Sequence, residues 1–179
     1  MVNAPQPEVS RLTPFAGHPL VVGIVPGQAE LVARTALALA QAMPGTALWF
    51  AYVDPSRTTE EEFADGTVRH GALAPDDLDD AWRDREAMLG DWVANLMERT
   101  GIDWEFRYLA GRPDRALTHL ARHIDAAAFV VGTRSAGRGR VMREFFDGAV
   151  ATRLAHHQHR PVLTVPLAVV DWEARTPWQ

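Results

Sequence analysis

Glycine and arginine concentrate in one short stretch, Gly132-Thr133-Arg134-Ser135-Ala136-Gly137-Arg138-Gly139-Arg140. Glycines let backbone N–H groups approach phosphate oxygens, and guanidinium groups bind phosphate through paired hydrogen bonds. A helix beginning at Gly148, Ala149 and Val150 would add the positive end of its dipole. The stretch therefore reads as a phosphate cradle. The rival reading is a solvated surface loop, because glycine-rich segments without strict spacing are weak motifs.

The remaining polar clusters point away from catalysis and metal binding. His156, His157 and His159 fall at the end of a helix, where histidines interact well with the dipole but adjacent side chains diverge. His119 and His123 share a helix face at the spacing of a zinc pair, yet Leu120 stands where a zinc hydrolase would carry glutamate. Glu60-Glu61-Glu62 and Asp76-Asp77-Asp79-Asp80 lack the alternating ligands and turn glycine of a calcium loop. No serine, histidine and acid occupy a nucleophile-elbow context. The sequence therefore supplies no catalytic residue and no metal ligand set.

Composition narrows the classes further. The 179 residues amount to about one domain, with 47% hydrophobic residues to fill a core. Cysteine is absent, which excludes disulfides and thiolate chemistry, and all 18 basic residues are arginine, which excludes a Schiff base and a P-loop lysine. A net charge of -5 argues against nucleic acid or an anionic membrane as partner. With no secretory start and no membrane-length apolar run, the chain reads as cytoplasmic.

The elements that would position the cradle alternate regularly. Residues 1–17, with Pro5, Pro7 and Pro14, read as a flexible leader before a domain spanning 18–167. Leu20–Val25 is a continuous apolar run, as in a strand buried on both faces, and Pro26-Gly27 ends it. A helix is expected over Gln28–Met43, a strand over Thr46–Val53, and a long acidic connection over 54–80. Helical periodicity resumes at Asp77–Arg99, followed by a strand at Asp103–Leu109 and a helix opened by Arg112-Pro113-Asp114. Ala127–Val131 is another buried strand, Gly148–His157 a helix and Val162–Val165 the last strand. Such alternation predicts an α/β fold, a single doubly wound, mostly parallel five-stranded sheet with helices on both faces. Ligands of such sheets bind outside the carboxyl ends of the strands, which gathers Val25, Pro26, Gly27, Val53 and the Gly132 loop.

Leu20-Val21-Val22-Gly23-Ile24-Val25, Ala51-Tyr52-Val53-Asp54-Pro55, Phe129-Val130-Val131-Gly132-Thr133-Arg134, Gly148-Ala149-Val150 and Arg160-Pro161-Val162-Leu163-Thr164-Val165-Pro166 together resemble the universal stress protein family. The resemblance covers residues 18–167. It implies a flavodoxin-like sheet of order 3-2-1-4-5, a homodimer, and in some members a site for ATP or another adenine nucleotide, with magnesium where the ligand is ATP. Carried over, the nucleotide site comprises Val25, Pro26, Gly27, Val53, Gly132, Thr133, Arg134, Ser135, Gly137, Arg138, Gly139, Gly148, Ala149 and Val150.

Departures from the nucleotide-binding pattern leave two readings open. That pattern runs glycine, two residues, glycine, nine residues, glycine and a hydroxyl residue. Here Ser135 replaces the second glycine, the loop is three residues longer, and Ala149 stands where the hydroxyl belongs. Pro26 takes the place of an aspartate near the base, and Asp147 adds negative charge. Arg134, Arg138, Arg140 and Arg143 supply cations that could compensate. One reading is a nucleotide-responsive protein; the other is a nucleotide-free homodimeric interaction module. An ATP-hydrolysing enzyme is a third and lesser reading, because no positioned general base or metal ligand can be named from the sequence. Residues 168–179 carry Trp172 and Trp178, and this apolar tail is expected to join the last strand in a dimer interface.

Overall fold

The computed structural model describes residues 8–28, 30–73, 81–133 and 149–167. Seven strands and four helices follow in the order β1 (Leu20–Gly23), α1 (Leu31–Ala42), β2 (Leu48–Asp54), β3 (Arg57–Glu62), β4 (Val68–Ala72), α2 (Ala81–Met97), β5 (Trp104–Ala110), α3 (Pro113–His123), β6 (Ala128–Gly132), α4 (Ala149–His157) and β7 (Val162–Val165). Five strands form one parallel sheet in the order β5-β2-β1-β6-β7. Leaving aside β3 and β4, this is the expected 3-2-1-4-5 order.

The sheet is buried on both faces because its strands are apolar at successive positions. Leu20, Val22, Phe50 and Val130 face α1 and α2, whereas Val21, Ala51, Val53, Leu109 and Phe129 face α3 and α4. Phe50 and Phe129 are both fully buried, one in each layer. Each contributes about 1.5–3 kcal/mol relative to exposure. In α3 the apolar positions Leu117, Leu120 and Ala121 fall on one stripe that faces the sheet. Pro113 opens this helix, Asp114 occupies the first turn, and Arg122 and His123 the last, all as the helix dipole favours. Among the described residues, no helix is long and apolar enough to cross a membrane.

Helix α1 begins at Leu31 rather than at Gln28. Pro26 and Gly27 form a type II turn in which Gln28 N–H donates to Val25 O at 3.1 Å and Gly27 has φ +71°. The expected leader reaches into the described residues, where Thr46 Oγ1 donates to Phe15 O and Gly17 N–H to Pro44 O. At the last strand, buried Arg160 donates from Nε to Ala126 O and ties the approach to β7 to that of β6.

Residues 54–80, expected as a plain connection, contain the antiparallel hairpin β3–β4. Its turn carries an Asp65-Gly66 pair, with Gly66 at φ +79° and Asp65 Oδ1 accepting from Thr67 N–H and Oγ1. Glu60, Glu61 and Glu62 are all exposed or partly exposed, so the strand lacks the apolar alternation that announces a strand. Tertiary contacts hold it instead: Thr59 Oγ1 donates to Ala110 O at 3.1 Å, and Glu62 pairs with His119 at 2.9 Å.

Candidate functional site

The carboxyl ends of β1 and β6 lie side by side, Gly23 pairing with Val131. Beyond them Gln28, which closes the Val25-Pro26-Gly27 turn, brings its side chain to Gly132. Gln28 Oε1 accepts the Val25 N–H at 3.1 Å, which orients the rest of that amide toward β6. A methyl group added at Gly132 would stand 2.5 Å from Gln28 Nε2 and 2.6 Å from Leu167 Cδ1. A side chain at Gly132 would have to push the ends of Gln28 and Leu167 aside.

Thr133 is anchored at the same place. Its N–H donates to Val165 O at 2.7 Å, and its hydroxyl oxygen accepts the Leu167 N–H at 2.8 Å, which leaves the hydroxyl proton free to donate. The short return from β7 through Leu167 thus borders the cleft. Pro26 has no N–H to offer, and Gly27 is exposed at the rim.

Not every expected residue turns its side chain to the cleft. Val53 is 4% exposed and packs in the layer beneath α3 and α4, so a ligand there would meet its backbone. Val150 is buried in the same layer at the start of α4. Ala149 is the first residue of α4. Arg134, Ser135, Gly137, Arg138, Gly139 and Gly148, and with them the tail 168–179, lie outside the described residues.

A second polar assembly stands at the ends of β2 and β5. Asp54, 2% exposed, receives four hydrogen bonds: Ser56 N–H and hydroxyl on Oδ1, and Arg85 Nη1 and the Tyr108 hydroxyl on Oδ2. Burial alone would raise its pKa, but the Ser56, Tyr108 and Arg85 contacts together hold the carboxyl below its usual range. Burial pushes the Tyr52 phenol up to about 12, helped by the Asp54 charge. Tyr108 is raised too, by burial and by its bond to Asp54. His70 packs on Tyr108 and Trp82 and accepts from Arg57 Nε at 2.7 Å; burial and the Arg57 charge lower its pKa.

With both oxygens of Asp54 filled, the carboxylate has no lone pair left for a metal or for a substrate proton. Its chemistry is attachment: Arg85 fastens α2 to two strands. Sequence reasoning missed this group and Gln28. The available signals were Ser56 two residues after an aspartate, an Asx-type turn, and Arg85 on the same helix face as Trp82 and Leu89, where a charge demands a partner.

A sequence model described as the Universal stress protein family matches residues 18–166. Among solved structures, the chain is similar to a universal stress protein family protein from Burkholderia pseudomallei, with 24% identity, TM-score 0.58, and coverage of 84% of this chain and 96% of that one. It is also similar to the universal stress protein from Archaeoglobus fulgidus in complex with dAMP, with 20% identity, TM-score 0.54, and coverage of 83% and 97%. A universal stress protein family protein from Arabidopsis thaliana with AMP bound gives 15% identity, TM-score 0.52, and coverage of 85% and 93%. A search of curated proteins gives no match.

Proposed function

The chain belongs to the universal stress protein family, and from that premise we propose that it is a cytoplasmic stress-response module that binds an adenine nucleotide at the carboxyl ends of β1 and β6. Val25, Pro26, Gly27 and the Val53 backbone flank the base in this reading. Gly132, Thr133, Arg134, Ser135, Gly137, Arg138 and Gly139 hold the phosphates, with backbone donors from Gly148, Ala149 and Val150. Magnesium accompanies the ligand when it is ATP.

The observation that carries the reading is the bare backbone of Gly132 opposite the Gln28 amide, at the strand ends where a doubly wound sheet takes its ligands. The dAMP and AMP bound to two similar proteins support the ligand class. The test is the thermal midpoint with millimolar ATP and magnesium, or AMP, for the parent and for Arg134→Ala/Arg138→Ala. At a hundredfold excess over Kd the parent gains about 2.7 kcal/mol, a rise of about 5–10 °C, and the double variant loses most of it. No rise with either nucleotide would exclude the reading.

One observation favours the second reading, a nucleotide-free interaction module: Gln28 Nε2 and Leu167 Cδ1 already crowd the space over Gly132. In both readings the protein is a homodimer formed through β7 and the tail 168–179. β7 ends the sheet, and Leu163 is 41% exposed on it.

A further inference from the structure

On the α3 and α4 face, away from the nucleotide cleft, a concavity of about 600 Å³ opens between the outer surfaces of the two helices and the end of β3. That volume lies within the range of small-molecule sites, roughly 300–1,000 Å³. Its wall repeats along α3 at helical spacing, with Arg115, His119 and Arg122 on one face, Arg112 at the helix start and His157 across on α4.

The charges of this wall do not balance. It holds two carboxylates, and both are committed. Asp114 is buried and paired with Arg112 at 2.8 Å, while Glu62 pairs with His119 at 2.9 Å. Among the described residues, neither Arg115 nor Arg122 has a carboxylate within ion-pair distance. With His119 neutral, the wall carries three guanidinium groups against two carboxylates, and Arg115 and Arg122 are the two not paired with a carboxylate, on a chain whose net charge is -5.

We propose that the groove between α3 and α4 is a second ligand site, which takes an elongated small-molecule anion carrying charge at both ends, gripped by Arg115 and Arg122. The two arginines are two helical turns apart, about 10 Å along the axis. A two-headed anion spans them; a single oxyanion reaches one at a time. Guanidinium groups accept phosphate and carboxylate in the same forked geometry, so the shared chemistry is a polyanion whose ends present oxygens. This proposal is independent of the nucleotide reading.

The test is calorimetric titration of the full chain with tripolyphosphate, with citrate and with orthophosphate, repeated by NMR to follow the amides of α3. Tripolyphosphate tests the phosphate source and citrate the carboxylate source. Binding by either, at least tenfold tighter than orthophosphate, is expected, with the largest shifts between Arg115 and His123. Arg115→Gln/Arg122→Gln, on an exposed helix face where glutamine is nearly as good a helix former, keeps the parent circular dichroism and loses binding at least tenfold. Arg34→Gln/Arg99→Gln, which lowers the net charge equally, keeps it. Absence of binding by both polyanions overturns the proposal. So does binding that survives Arg115→Gln/Arg122→Gln, binding that leaves the α3 amides unshifted, or an equal loss in Arg34→Gln/Arg99→Gln, which would mark general electrostatics as the cause.

Discussion

The Tyr108 hydroxyl donates to Oδ2 of Asp54 across two adjacent parallel strands, from β5 to β2, and Arg85 of α2 reaches the same oxygen. One carboxylate thereby joins two strands and a helix that are far apart in the chain. Tyr108→Phe removes one donor and should cost about 1–2 kcal/mol in urea unfolding. Asp54→Ala strands the Arg85 guanidinium and should cost about 3 kcal/mol. Because the Asp54 pKa is depressed on folding, its contribution is present above about pH 4 and lost as pH falls through the folded value. Asp54→Asn should flatten the acid limb of the stability curve; an unchanged limb would assign that pH dependence elsewhere.

Tyr52 and Tyr108 are the only tyrosines in the sequence, and both have raised pKa values. Each favours the folded state fully below the unfolded phenol value of about 10, and the stabilisation is lost as pH rises through the folded values. Tyrosinate absorbance should therefore remain absent near pH 10 and grow only toward pH 12, together with the loss of circular dichroism. A phenol titrating near pH 10 in a folded chain would contradict the burial of this pair.

Gly132→Ala places a methyl group against Gln28 Nε2 and Leu167 Cδ1, the ends of two side chains that can rotate aside. The variant should fold with a loss of about 1 kcal/mol, since displacing side chains is cheaper than displacing backbone. The midpoint rise with AMP should disappear. A full AMP response in this variant would place the ligand somewhere other than above Gly132.

Leu163→Glu puts a charge on the exposed face of β7 and should convert a dimer to a monomer in sedimentation velocity with little change in the monomer's own stability. A parent chain that sediments as a monomer would remove the dimer from the proposal.

The parallel sheet was legible because burial on both faces writes itself into runs such as Leu20–Val25 and Phe129–Val131, and α3 because Leu117, Leu120 and Ala121 repeat at helical spacing. The hairpin was not: Thr59 and Glu62 are held by Ala110 and His119, contacts about fifty residues away that no local pattern encodes. The Asp65-Gly66 pair is a turn signal that went unread, because the run of glutamates before it reads as solvated chain. Gly132 and Thr133 stood out in the glycine- and arginine-rich run and the family resemblance, and the structure places them at the carboxyl end of β6. Gln28 escaped because a glutamine after a turn looks like any surface residue until Gly132 is seen beside it. The Asp54 assembly escaped because its three partners come from separate elements.

The hairpin also makes the two borders of the five-stranded sheet unequal. Thr59 bonds to Ala110 at the carboxyl end of β5, and His70 stacks on Tyr108 of the same strand, so β3 and β4 stand guard over one border while, among the described residues, β7 has no strand beyond it at the other. A sheet open on both sides can recruit copy after copy into a fibre, whereas one that can be extended on a single side pairs once and stops. Where the chain pairs through β7 as proposed, the acidic insertion works as a terminator that limits how far assembly can go.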